Sequence, residues 1–452
     1  MTQSNLDYAT ATAGGLAEAL ASGAVSAVEL LDTAIARIEA VDGPINAVVV
    51  RDFDRALAAA KAADVALARG ERGALLGVPM TVKEAHNVAG LPTTWGSPAA
   101  KGWIAPEDSL GVARLKAAGA IIMGKTNVPP FLADWQSDNP VYGRTNHPLD
   151  PTRTPGGSSG GSAAALAAGM TPLEFGSDIG GSIRVPSAFC GVYGHKPSYG
   201  IVPQRGHAPP GFDGADSVLG VIGPMARSAG DLALALTVLA GPDPMEGVGY
   251  RLDLPAARHD RLADFRVLII DRHPAAALDA EIGAALDRVA GALDRAGAAV
   301  SRSSNLLPDL AHAHEVYVSL LMPAMSRGPE SPPNLINAHG WMTALDQQLA
   351  IRRQWRALFE TFDVVLAPVM GVVAFPHDAS PFNDRIHVVN GHSTPYGAQL
   401  AWPGMATLGH LPSTAFPVGA TKAGLPIGLQ AIGPYLEDYT AIAFAGLMAG
   451  VG

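Results

Sequence analysis

The chain has 452 residues, 48% of them hydrophobic and only 16% charged, with 31 Lys+Arg against 41 Asp+Glu for a formal net charge of −10. That composition excludes a disordered chain, and an acidic balance with no Lys/Arg-rich run of five or more argues against a nucleic-acid surface. The 51 glycines and 36 prolines follow no fixed period, so they belong in turns, caps and close backbone approaches rather than in a collagen-like repeat. The start, MTQSNLDYAT, has neither a basic nor an apolar export region, and the uncharged stretch from Pro155 to Leu173 is too rich in Gly, Ser and Thr to span a bilayer. With a single cysteine, Cys190, which has no partner for an internal disulfide, the expectation is a soluble cytoplasmic protein without a membrane or nucleic-acid partner.

Two helices open the chain. The second is marked by a capping box at Ser26 and Glu29, by Leu31, Ala34, Ile35 and Ile38 at helical spacing, and by Gly43 as its end. Short apolar runs then alternate with helical patterns. Ala47–Val50, Met80–Val82, Ala120–Met123, Val267–Ile270 and Val364–Ala367 read as buried strands, and Phe53–Arg69 and Glu281–Ala296 as helices. This alternation predicts an α/β fold around a mostly buried sheet. No solenoid or propeller period appears, so the length, although enough for about three domains, reads as one compact unit. Two stretches rich in Pro, Gly, Asn and His, 326–343 and 372–402, read as long loops, candidates for shaping a pocket or for plain surface connection.

The chemistry-bearing signal lies between Thr154 and Pro197. Two turns, Gly156-Gly157-Ser158 and Gly180-Gly181-Ser182, flank an Ala-rich helix from about Ser162 to Gly169. Glycine beside serine lets the backbone approach a ligand closely, so that N–H groups converge on an anion or oxyanion. Apolar flanks argue against a flexible linker. A phosphate-binding loop fails because Ser162 stands where its lysine is needed. Gly156 to Gly160 fits a nucleophile elbow in spacing, but the preceding LDPTRTP is not a strand. A serine needs a base, and Lys83 is the best candidate: the strand-like Val78–Val82 places its ammonium at a buried strand end, where desolvation lowers the pKa. A salt-bridged structural lysine is the plainer alternative there.

These residues resemble the amidase signature family, serine hydrolases with a Ser-Ser-Lys triad. The resemblance rests on Val82-Lys83-Glu84, on Val88-Ala89-Gly90-Leu91-Pro92-Thr93-Thr94-Trp95-Gly96-Ser97, on Gly124-Lys125-Thr126-Asn127, and on separations of 75 residues from Lys83 to Ser158 and 24 from Ser158 to Ser182. It is strongest from about Leu76 to Asp231 and extends through Phe416–Gln430. It implies a single α/β/α sandwich domain over 1–452 around a mixed sheet, with Ser182 as nucleophile, Ser158 as bridging serine after a cis peptide, and Lys83 as base. The N–H groups of Ile179, Gly180, Gly181 and Ser182 correspond to its oxyanion hole. Glu84 where Asp is common, and His195 where Leu is common, depart from the pattern.

The implied activity is hydrolysis of carbon–nitrogen bonds of amides, including aryl amides and carbamates or urethanes, through an acyl-enzyme. The alternative within the family is a glutamine-hydrolysing subunit of a tRNA-dependent amidotransferase; a catalytically dead binding module is disfavoured by the intact Lys83, Ser158 and Ser182. Trp341, Met342, Phe375, Tyr396 and Trp402 in the two loop regions point to a neutral, partly apolar amide, carbamate or ester. A Cys190 nucleophile with Lys83 and a glutamate is the weaker reading of a core cysteine, and His312-Ala313-His314 lacks further ligands. No cofactor or metal is expected, and the assembly is expected to be one chain or a homodimer.

Overall fold

The computed structural model describes residues 7–212, 214–326 and 335–450. At its centre is an eight-stranded mixed sheet in the order Ala299–Ser301, Arg266–Ile269, Val364–Pro368, Pro426–Ile432, Ser413–Ala420, Tyr193–Lys196, Val221–Ala226 and Leu173–Asp178. The first three strands are parallel and the remaining pairings antiparallel.

Strand side chains alternate between faces, and here each face has its own core. Val267, Ile269, Val364 and Leu366 join one apolar cluster with Leu286 and Leu293 of helix Ala280–Arg295 and Phe444 of helix Asp438–Met448. Leu268, Val365 and Ala367 join a second with Tyr317 and Leu320 of helix Leu310–Met325 and Trp355 and Leu358 of helix Ala338–Thr361. The result is the α/β/α sandwich that the resemblance implies, within the α/β class that the alternation predicts. No helix among the described residues is long and apolar enough to cross a membrane.

A smaller sheet, ordered Val48–Arg51, Ile121–Thr126, Pro79–Lys83, packs its last strand on the edge strand Leu173–Asp178. Polar side chains fasten this junction. Thr81 N donates to Thr171 Oγ1 at 3.2 Å, and Thr81 Oγ1 donates to the buried Glu174 carboxyl. The strand ends Lys83 and Asp178 are thereby brought to one place, and helix Gly160–Ala167, buried along Gly160–Leu166, fills the space behind them.

Local readings hold where the pattern is local. The Ser26–Glu29 capping box is present, and each of the five predicted strands is observed, with ends shifted by at most three residues. Gly43 does not end its helix, which runs on to Ile45; Asn46, in the left-handed conformation at φ 58°, terminates it. The stretch 326–343 is not one long loop. Asn337 caps helix Ala338–Thr361 by accepting from Gly340 N, so Trp341 and Met342 are helical, while 327–334 lie outside the described residues. The stretch 372–402 contains a hairpin, Ile386–Val389 with His392–Pro395, and the start of helix Ala401–Leu408.

Helix Gly160–Ala167 meets the end of the smaller sheet backbone to backbone at Gly161, whose N–H donates to Asn127 O at 3.2 Å. A Cβ there would drive into the Asn127 backbone. Gly161→Ala is therefore expected to lower stability by about 1–3 kcal/mol through overpacking, despite alanine's better helix propensity, read as a lower denaturant midpoint.

Candidate active site

Lys83 ends a five-residue strand that is buried throughout. Its side chain is fully buried, and its Nζ lies 2.6 Å from Ser158 Oγ and 2.9 Å from Ser177 Oγ. Burial pushes its ammonium down to about 7, against the opposing influence of Asp178 and Glu174. No carboxylate among the described residues pairs with it directly. The peptide between Gly157 and Ser158 is cis, and Gly156 turns at φ 88° against Pro186.

The second serine sits on a turn organised by Asp178. Its carboxylate accepts from the backbone N–H of Gly181 at 2.9 Å, Ile183 at 3.1 Å and Arg184 at 3.3 Å. It also pairs with the fully buried Arg184 guanidinium at 2.9 and 3.0 Å. Burial alone would raise this carboxyl, but Arg184 and the amides hold it down at about 2. Ser159 N donates to Ser182 O at 3.2 Å, which ties the two serine turns together.

Two buried side chains fix the peptide planes before Ser182. Tyr317 OH donates to Ile179 O at 2.8 Å, and Trp135 Nε1 donates to Gly180 O at 2.9 Å. A trans peptide directs its N–H opposite to its C=O, so Tyr317 sets the direction of the Gly180 N–H. Asp178 takes the Gly181 N–H and leaves those of Ile179, Gly180 and Ser182.

Ser158, Ser177, Ile179 and Ser182 open on a cavity of about 1070 Å³. Trp95, Phe131, Tyr199, His207, Phe212 and Met245 form much of its wall. His86 stacks on Phe175 at 4.1 Å and meets His207 at 4.7 Å, which in turn meets Trp95 at 5.1 Å. Burial keeps both imidazoles neutral, with His207 pushed down to about 3 by desolvation and then by Lys83. His207 Nε2 and His86 Nδ1 are buried without a hydrogen-bond partner among the described residues.

Lys83, Ser158, Ser182, Ile179, Gly180 and Gly181, singled out in the sequence, thus converge. Sequence reasoning missed Ser177, Asp178, Arg184, Tyr317, His86 and His207. The available signal was Asp178 and Arg184, lone charges flanking a Gly-Gly-Ser turn in an otherwise apolar run. The aromatic residues expected to shape the pocket lie elsewhere. Trp402 is fully buried in the second core, Phe375 and Tyr396 pack with Trp135 and Phe189, and Trp341 packs against the second core. From those two regions, Ser326, at the edge of the first, reaches the cavity beside its neighbour Met325.

Glu84 accepts from Thr94 Oγ1 at 2.9 Å, Trp95 N at 2.9 Å and Tyr142 OH at 3.0 Å, holding the Thr94–Trp95 wall. His195 is bonded to Thr414 and Asp438, away from the serines. Cys190 is buried with its Sγ on Pro155 O, and burial pushes its thiol up, which disfavours a thiolate nucleophile. His312 and His314 lie on helix Leu310–Met325, and no cluster of three or more metal-ligating side chains occurs among the described residues.

The family model described as Amidase matches residues 29–329 and 333–442. The chain is 34% identical over 482 residues to a glutamyl-tRNA(Gln) amidotransferase subunit of Anaeromyxobacter sp. (strain K), covering 94% of each. It is 35% identical over 453 residues to an indoleacetamide hydrolase of Bradyrhizobium diazoefficiens, covering 95% of this chain and 84% of the relative. An inhibitor-bound structure, from work on a vestigial protein complex and the origins of an s-triazine catabolic enzyme, superposes with a TM-score of 0.85 at 30% identity, covering 98% of this chain and 99% of the other. With this match across the chain and its fold, the protein belongs to the amidase family, the amidase signature hydrolases of carbon–nitrogen bonds other than peptide bonds.

Proposed function

We propose that the chain hydrolyses small neutral amides through an acyl-enzyme on Ser182, with Ser158 and Lys83 as its proton relay. The observation that carries this reading is a fully buried lysine, 2.6 Å from Ser158 and poised near neutrality, behind two serines that open on one cavity. Neutral Lys83 donates to Ser177 and accepts the Ser158 proton as Ser158 takes that of Ser182, whose Oγ attacks the substrate carbonyl carbon. The amides of Ile179, Gly180 and Ser182 receive the oxyanion, and Gly181 serves as the turn that Asp178 pins. The proton returns along the relay to the leaving nitrogen as the C–N bond breaks, and water then releases the acyl group.

The cavity wall favours an uncharged substrate. Around the serines it offers Trp95, Phe131 and neutral His207. Its arginine, Arg205, is already paired with Asp243 at 2.9 Å, so a substrate carboxylate would compete with that pair. Similarity to an indoleacetamide hydrolase supports an aryl acetamide, with carbamates and esters as further candidates of the same acyl chemistry. Similarity to glutamyl-tRNA(Gln) amidotransferase subunits supports the second reading, glutamine hydrolysis in a complex.

The purified chain, assayed alone on indole-3-acetamide, an aryl carbamate, an aryl ester and L-glutamine, is expected to turn over the neutral compounds. Turnover of glutamine alone, or only with added subunits, would favour the second reading. A serine-reactive phosphonate should label Ser182, and Ser182→Ala should lose both label and turnover; labelling elsewhere would overturn the assignment.

Protonated Lys83 cannot accept a proton, so kcat/KM should rise with pH through an acid limb at about 7. A flat profile across that range would remove Lys83 as the base. Tyr317→Phe frees the Ile179–Gly180 peptide without removing an oxyanion donor. We expect kcat to fall about tenfold with KM little changed, a smaller loss than the roughly 10²–10³ for deleting such a donor outright.

A further inference from the structure

A second cavity, of about 800 Å³, lies along helix Ala338–Thr361 and is lined by five arginines: Arg258, Arg266, Arg352, Arg353 and Arg356. Their charges are met unequally. Arg258 donates to Glu437 at 2.6 and 2.8 Å and to Asp363 at 3.0 Å, and Arg266 donates to Asp363 at 2.7 and 3.0 Å. Those two carboxylates are thereby engaged. The guanidinium groups of Arg352, Arg353 and Arg356 make no ion pair or hydrogen bond among the described residues; Arg352 lies over the Tyr435 ring at 5.0 Å. Glu360, one turn beyond Arg356, is not paired with it.

Arg352 and Arg356 stand one helical turn apart, where like charges repel. In a chain with a net charge of −10, this concave surplus of positive charge runs against the average surface. Concave walls focus such a field, and planar guanidinium forks match the paired oxygens of a phosphate group. The arginines are confined to one cavity edged by Glu360 and Glu437 rather than spread in a stripe, which fits a small ligand better than a polynucleotide. The cavity is also separate from the catalytic one: Tyr435 OH donates to Tyr199 O at 3.2 Å, and these two residues stand on opposite sides of the wall between them.

We propose that this cavity binds a small multivalent oxyanion of the phosphate class through Arg352, Arg353 and Arg356. Inorganic pyrophosphate, titrated calorimetrically into the full chain at about 0.15 M salt, is the probe. One saturable site per chain is expected. Arg352→Gln/Arg356→Gln should weaken it by roughly 10- to 100-fold, as for lost charge-assisted hydrogen bonds, with unchanged thermal unfolding in the absence of the anion. Ser182→Ala should leave binding intact, since that serine lines the other cavity. Absence of a saturable site, equal weakening by Arg302→Gln, whose guanidinium pairs with Asp271 and Asp287 outside the cavity lining, loss of binding in Ser182→Ala, or tighter binding of long RNA than of pyrophosphate would each overturn the proposal.

Discussion

A lysine taken wholly out of water is the constraint around which this site is arranged. Burying an ammonium is costly unless it is paired or becomes neutral. Lys83 is met by two hydroxyls, Ser158 and Ser177, rather than by a carboxylate. The two carboxyls close enough to influence it are committed otherwise. Asp178 is engaged by Arg184 and three backbone amides, and Glu174 is itself pushed up to about 7 by burial, with hydrogen bonds from Thr81 and Ser162 opposing that rise. Had Asp178 been free to face Lys83, the ammonium would be stabilised and the lysine would serve as a structural cation. In the proposed relay Arg184 would thus act without approaching a substrate, by occupying the carboxylate that would otherwise favour the proton on Lys83.

The second serine turn is shaped by the same few groups. One carboxylate gathers Gly181, Ile183 and Arg184, while Tyr317 and Trp135 hold the two carbonyls before Ser182 from the outside. Gly181, at φ 93° and packed on Val185 and Pro403, is a position where a side chain would be both strained and crowded. The turn is therefore held in place by the protein's own contacts, as the proposed stabilisation of a developing oxyanion requires. Its supports come from separate parts of the chain: Trp135 precedes the first serine, Tyr317 comes from a helix on the second core, and Pro403 and Thr407 of helix Ala401–Leu408 accept from Arg184.

That dispersal explains what the sequence makes legible. Strands at Met80–Val82 and Val364–Ala367, the Ser26 cap and the strand-end position of Lys83 are written in periods of a few residues. The Gly-Gly-Ser turns and their link to Lys83 become readable through family resemblance. Ser177, Tyr317 and His207 carry no local mark, because their importance arises only when a sheet edge, a helix of the second core and a loop meet around the serine turns. The pocket wall is hidden for a related reason. Aromatic residues in Pro- and Gly-rich stretches suggest a substrate wall, yet Trp402, Phe375 and Tyr396 are the interior of a well-packed region. The observed wall draws Trp95, Phe131, Tyr199 and Phe212 from segments that hydrophobic periodicity leaves unassigned.

The low charge of the chain acquires a specific meaning beside Lys83. A run of ring contacts, Phe175 stacked on His86, His86 tilted against His207 and His207 against Trp95, leads to the cavity wall near it, and burial keeps both imidazoles neutral. A carboxylate in their place would raise the lysine pKa and deprive the proposed relay of its base. A charged imidazole would lower it further and weaken the base by another route, since basicity falls with pKa. Neutral rings avoid both outcomes. They also leave His207 Nε2 and His86 Nδ1 buried and unpartnered among the described residues, and such atoms are costly in an apolar setting unless something hydrogen-bonds to them. His207, which lines the cavity beside Trp95 and Phe131, therefore offers a buried polar atom on that part of the wall, suited to a directed hydrogen bond with the uncharged amide proposed as substrate.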